Sequence, residues 1–304
     1  MVSGEMDTLP EAALVPWQVR TSANWPLLTA DVGPEGGVLT VDNPDSPLNG
    51  LSITIPAGAY DQAVHFEISA AEITSHQIPS DMTVITPLID VQNGEVEASE
   101  FLELHLPRQI EEGRFAMLFT YDPETDALDA LPLIQHDQDG LTALTTHFSK
   151  ILGIEVNTAE LDALKIQTGF KQGRNNWQFA NYGSFISPGG HCAGQSLMAM
   201  DFFMRYKGAP LYGKYDNYNN NGYPPTPIQQ DDDRLGYRLC SVAQEAMDWE
   251  GRANQIWFGA QRNPGDFITY YSFALALRAS HEPQLVGIYD ATGGGHAMIV
   301  YGKF

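Results

Sequence analysis

Residues 189–206 read GGHCAGQSLMAMDFFMRY. Two glycines, a histidine and a cysteine run into a segment whose apolar residues recur at helical spacing. The stretch therefore predicts a sharp turn and then a helix over 194–206, with Cys192 at its start. A thiol at a helix start meets the positive end of the helix dipole, which favours the thiolate, the form that attacks a carbonyl. The paired glycines let the backbone turn and leave space for a substrate carbonyl beside the sulfur. Taken alone, Cys192 is also readable as a small core residue on a packed helix.

A second signal lies at 293–302, GGGHAMIVYG. A histidine at the mouth of an apolar strand, after a glycine turn, presents its imidazole in a cleft while the strand anchors it. LVGIY (285–289) reads as the strand before it. Cysteine at a helix start and histidine later at a strand start is an ordered pair, which is more specific than either motif alone.

These two segments resemble papain-like bacterial peptidases, in which a Gly-Gly-His-Cys-x-Gly helix precedes a Gly-His-Ala strand. The resemblance implies an α+β papain-like domain over 154–304, with Cys192 as nucleophile and His296 as general base. It also implies an oxyanion hole made by the nucleophile's own N–H and a side-chain amide from just upstream. The segment NNWQFAN (175–181) offers Asn181, favoured over Gln178. The family's third member, an Asn or Asp that orients the histidine, lies on a strand beyond the histidine strand. Here the sequence stops at Phe304, eight residues after His296. That residue lies further on, comes from elsewhere in the chain, or is missing from an impaired domain. Asp290 is the nearest acidic residue, and is equally readable as a turn aspartate before Ala-Thr-Gly-Gly-Gly.

Helical spacing recurs over 234–258 and from Phe267 (FITYYSFALALRA). The Asn- and Pro-rich segment 215–233 reads as a loop, and Asp231 to Asp233 as the cap of the helix after it. Cys240, between Leu239 and Val242 in mid-helix, reads as a core thiol. The surroundings of the two cysteines differ too much to favour a disulfide.

The first half has a different period. VLTV (38–41), LSITI (51–55), VHFEISAAEI (64–73), TVITPLIDV (83–91), FLELHLP (101–107), AMLFTYD (116–122) and LTALTTHF (141–148) are short strand-like runs separated by Pro, Gly and Asp turns. They predict an all-β sandwich, so the fold class is multidomain: a sandwich followed by the α+β domain. VGPEGG (32–37), LSITIPAGA (51–59) and THFS (146–149) resemble the ZU-type β-sandwich of zonula occludens proteins, netrin receptors and ankyrins. The division expected is an extension over 1–29, the sandwich over 30–153 and the papain-like domain over 154–304. In some ZU-type members the chain cleaves itself before the serine of a His-Phe-Ser turn. By that resemblance His147 would be the base and Ser149 the nucleophile. The plainer reading, in which the turn only closes the last strand, predicts an intact chain.

At 304 residues, two domains are the natural expectation. Residues 1–150 hold four of the 16 basic and 24 of the 38 acidic residues, a net charge of −20, against −2 for the remainder. So acidic a surface repels phosphate backbones and anionic headgroups, which excludes nucleic acid and bare membrane as expected partners. No apolar run approaches the ~20 residues of a membrane span. The sequence holds no phosphate loop, dinucleotide fingerprint or metal-ligand spacing, so no cofactor or metal is expected. The partner expected is a peptide or protein substrate. The start of the sequence lacks the basic and apolar regions of a signal peptide, and an extracellular or surface location is implied by the resemblance alone.

Overall fold

The computed structural model describes residues 17–181, 183–184, 186–213, 235–247, 264–289 and 295–304. The chain is mostly strand, in several sheets, with few helices, and falls into two compact units divided between Leu164 and Lys165 and again between Ser280 and His281.

The first unit contains β1 (Val19–Thr21), β2 (Trp25–Val32), β3 (Gly37–Thr40), β4 (Ser52–Ile55), β5 (Val64–Ala71), β6 (Ile73–His76), β7 (Met82–Val84) and β8 (Leu88–Gln92). It continues with β9 (Leu102–Leu106), β10 (Arg114–Asp122), β11 (Ala127–Ala130), β12 (Leu133–Asp137), β13 (Gly140–Thr145), β14 (Lys150–Asn157) and helix α1 (Thr158–Ala163). One sheet runs β11-β10-β14-β8-β5-β2, with β7 also paired to β14. The other runs β12-β13-β9-β4-β3, and β1 pairs β6. All these pairs are antiparallel. Alternation explains them. In β5, Val64, Phe66, Ile68 and Ala70 are buried while His65 and Glu67 face solvent, and in β9 Leu102, Leu104 and Leu106 are buried.

The run TVITPLIDV, expected as one strand, is two. Pro87 has no N–H to give a ladder, so pairing stops after Val84 and resumes at Leu88. Gly153 of β14 bridges the gap, its N–H donating to Thr86 Oγ1 at 2.8 Å and its carbonyl accepting from Ile85 N at 2.9 Å. Strand β14 thus runs through the division expected at 153. Residues 19–29, expected as an extension, supply β1 and the start of β2.

A later segment also belongs to this unit. Helix α4 (Asp266–Ser280) lies with the strands rather than with residues 165–247. Its Phe267 and Tyr271 rings sit 5.9 and 5.5 Å from Phe115, on which His136 stacks at 4.7 Å. Arg278 makes a two-pronged bond to Asp81, both distances 2.9 Å. The Tyr270 and Tyr271 hydroxyls donate to Asp162, and Trp17 Nε1 donates to the Ala279 carbonyl. Burial pulls the His136 pKa down, and the neutral Nε2 accepts the Ala116 N–H at 3.2 Å.

The second unit comprises β15 (Ile166–Gln167), helix α2 (Cys192–Arg205), helix α3 (Leu235–Glu245), β16 (Gln284–Tyr289), β17 (Gly295–Val300) and β18 (Gly302–Lys303). β16 pairs β17 and β15 pairs β18, both antiparallel. Phe170, Trp177, Phe179, Ala199, Phe203, Leu211, Tyr237 and Cys240 form its core. Each large side chain taken from water there contributes about 1.5–3 kcal/mol. Cys240 is buried, which pushes its thiol pKa up, and both cysteines are free. The loop expected over 215–233, the capping Asp231 to Asp233 and Asp290 lie outside the described residues.

Candidate active site

The approach to α2 is shaped by serines and glycines. Ser187 Oγ donates to the Gly190 carbonyl at 2.7 Å, and Ser184 Oγ accepts from Ser187 N at 2.9 Å. Gly190 has φ +111°, a backbone setting that a side chain disfavours. His191 occupies the N-cap position, but its side chain does not cap the helix.

The exposed amides of the first turn are filled from elsewhere. His191 N donates to Asn181 Oδ1 at 2.6 Å. Ala193 N and Gly194 N both donate to Gln244 Oε1 of α3, at 3.0 and 3.1 Å. Gln195 N makes the first turn's bond to the His191 carbonyl at 2.8 Å. Among the described residues, the Cys192 N–H alone of these has no acceptor. A helix start must satisfy or expose such donors, and here the donor left open is that of the cysteine.

Cys192 Sγ lies against β17, where the Ala297 N–H points at it at 3.4 Å. The same strand receives Ser196 Oγ of α2 on the Ala297 carbonyl, also at 3.4 Å. Because the Ala297 nitrogen belongs to the His296–Ala297 peptide, covalent geometry puts the sulfur within about 6 Å of the His296 Cα. The backbones of the ordered sequence pair thus lie close together, with the exposed His296 side chain next in the strand to the buried Ala297. No family model and no curated protein matches the chain.

His296 is solvent-exposed, and its direct neighbour across the hairpin is Ile288. Its imidazole has no hydrogen-bond partner among the described residues, and Asp290 falls outside them. Ala297, next in the strand, is buried.

The segment upstream of the turn is strapped to α2. Trp177 Nε1 donates to the Gln195 carbonyl at 3.1 Å, and Gln195 Nε2 donates to the Phe179 carbonyl at 3.3 Å. Asn175 is spent on Lys171, Gly208 and Ala209, and Asn176 on Gly173 and Trp177. Asn181 reaches the turn itself. The His191 N–H fixes its Oδ1, which leaves its Nδ2 as a donor with no acceptor among the described residues. Gln178 points elsewhere, its Oε1 lying 3.3 Å from where a Cβ on Gly213 would be. The structure thus sets the Cys192 sulfur against the backbone next to His296 and the Asn181 side chain against the turn before α2, and no hydrogen bond joins Cys192 Sγ to the His296 ring.

Two participants were not visible in the sequence. Gln244 is one. A Cβ on Gly194 would meet the Cys240 carbonyl oxygen at 1.9 Å, so this glycine of the Cys-x-Gly motif serves a close crossing of α2 and α3. That crossing carries Gln244 to the helix start. His191 is the other. It is wholly buried, edge-on to Tyr237 at 4.5 Å, and its Nε2 accepts from Gln195 Nε2 at 3.1 Å. Its Nδ1 has no partner among the described residues. Burial drives its pKa down to about 4, so the ring is neutral at physiological pH.

The His147-Phe148-Ser149 turn lies in the first unit. Ser149 Oγ donates to the Lys150 carbonyl at 3.3 Å, and His147 N donates to Thr145 Oγ1 at 3.3 Å. Phe148 packs edge-on to Phe66 at 6.1 Å. None of the three residues has a positive φ, and no hydrogen bond joins His147 to Ser149. The Asp129 carboxyl is pushed up by burial and by Asp122, and held back by His147.

Proposed function

We propose that the chain is a cysteine-dependent hydrolase of peptide or amide bonds, with the second unit as a papain-like domain and the first as a ZU-like β-sandwich. One observation carries the reading: Cys192 Sγ sits at a helix start against the His296–Ala297 peptide, with its own N–H unfilled. In this mechanism His296 takes the Cys192 proton and the thiolate attacks the substrate carbonyl. The developing oxyanion is met by the Cys192 N–H and Asn181 Nδ2. Collapse expels the amine, which takes its proton from His296, and water then releases the acid from the acyl-enzyme. With an amine in place of water, the same steps give transglutaminase-like acyl transfer.

A second reading is a papain-like scaffold without turnover that acts as a surface binding or adhesion protein. The observation favouring it is the absence of an orienting partner for His296 among the described residues. A mixed fluorogenic peptide library separates the two. The hydrolase reading expects turnover by the wild type, its loss in Cys192→Ala and in His296→Ala, and a double variant little worse than either, because both residues act in one step. Turnover retained by folded Cys192→Ala overturns it.

A further inference from the structure

A helix start usually recruits Asp, Glu, Ser or Thr to its open amides. Helix α2 uses none of them: its first turn has no acidic residue, and the N-cap side chain of His191 makes no capping bond. Its acceptor is a neutral amide carbonyl from another helix, Gln244 Oε1, shared by Ala193 N and Gly194 N. A carboxylate at the same place would accept both bonds more strongly. It would also set a negative charge within one helical turn of Cys192 Sγ, opposing the thiolate.

The placement does not depend on that pair of bonds alone. The close crossing at Gly194, where a Cβ would strike the Cys240 carbonyl at 1.9 Å and the Gln244 nitrogen at 2.9 Å, holds this turn of α3 against the start of α2. The Gln244 side chain therefore fills two amides of the turn and leaves the third, that of Cys192, open.

Resting on the cysteine-hydrolase reading above, we infer that Gln244 is a positioning residue of the Cys192 site: a neutral cap that fixes the first turn of α2 while reserving its positive end and the Cys192 N–H for the reacting groups.

The test compares Gln244→Glu with Gln244→Met in the full chain. It measures the unfolding midpoint and the alkylation of Cys192 by iodoacetamide, followed by mass spectrometry across pH. Gln244→Glu keeps both acceptor bonds, so its midpoint should lie above that of Gln244→Met. Its alkylation at pH 6 should be about tenfold slower, with the pH profile displaced upward. Gln244→Met loses the acceptor and adds no charge. Its midpoint should fall while alkylation at pH 6 stays within about threefold of the wild type. Stability and reactivity then part company in opposite senses, which a purely structural cap does not produce. Folded Gln244→Glu reacting at the wild-type rate overturns the inference, as does loss of reactivity that follows loss of stability in Gln244→Met. If wild-type Cys192 reacts no faster at pH 6 than a free thiol, the hydrolase reading fails and the inference with it.

Discussion

Acid should destabilise the second unit through His191, by an amount that can be worked from its surroundings. The ring is wholly buried between Phe179 and Tyr237, and its pKa is about 4 in the folded chain, against about 6.5 for an unfolded histidine. The folded value is the lower one, so the unfolded chain binds a proton first as pH falls. The stabilisation is complete above pH 6.5 and is lost progressively down to about pH 4. At about 1.4 kcal/mol per pH unit, that gap amounts to about 3 kcal/mol. Changing His191 to Phe keeps an aromatic ring against Phe179 and Tyr237 but removes the titration, with loss of the Gln195 bond costing about 1 kcal/mol. Urea unfolding of both proteins at a series of pH values cancels the contributions of every other group. The wild type should be the more stable near pH 7, and His191→Phe the more stable at pH 4. Two curves running parallel from pH 7 to pH 4 would refute the reasoning.

Gly194→Ala should destabilise the second unit by about 3 kcal/mol or more, because the added Cβ meets the Cys240 backbone oxygen rather than a movable side chain; a thermal scan should show one transition lowered and the other unmoved. Residues 30–153 alone lack β1, the end of β14 and helix α4, so this fragment should fold less stably than residues 17–164 supplemented with a peptide of residues 264–281, as read by circular dichroism. Arg278→Ala, which frees a partly buried two-pronged bond to Asp81, should cost about 1–3 kcal/mol in urea unfolding. The His147-Phe148-Ser149 turn should stay uncut, and the intact mass of purified protein checks this directly.

Much of the first unit was legible because its strands bury one face each. Alternation in VHFEISAA and LELHL marks β5 and β9 without any knowledge of their neighbours. What escaped was non-local. KILGIEVN carries little alternation because β14 is buried along most of its length, so both the charge break near residue 150 and the division expected at 153 fall on it. Helix α4 looked like part of the second half by position, yet its aromatic and arginine contacts are to Phe115 and Asp81, which no local pattern reports. In the site, Cys192 and His296 were readable as ordered motifs because each begins a regular element after glycines. Gln244 was not, since its role depends on two helices crossing at a glycine distant in sequence. Nor was the burial of His191, which shares its motif with a residue placed for access. A small residue two positions after the cysteine, followed by a second amphipathic helix, was the available hint of that crossing.

The central claim is that Cys192 and His296 act as a pair, and the most direct measurement is the rate at which iodoacetamide alkylates Cys192 at pH 6, in the wild type and in His296→Ala. Cys240, being buried, should stay unlabelled in both and serves as an internal control. A paired thiolate should react rapidly, and removal of the imidazole should slow it by about tenfold or more. Equal, slow labelling of Cys192 in both proteins would contradict the account.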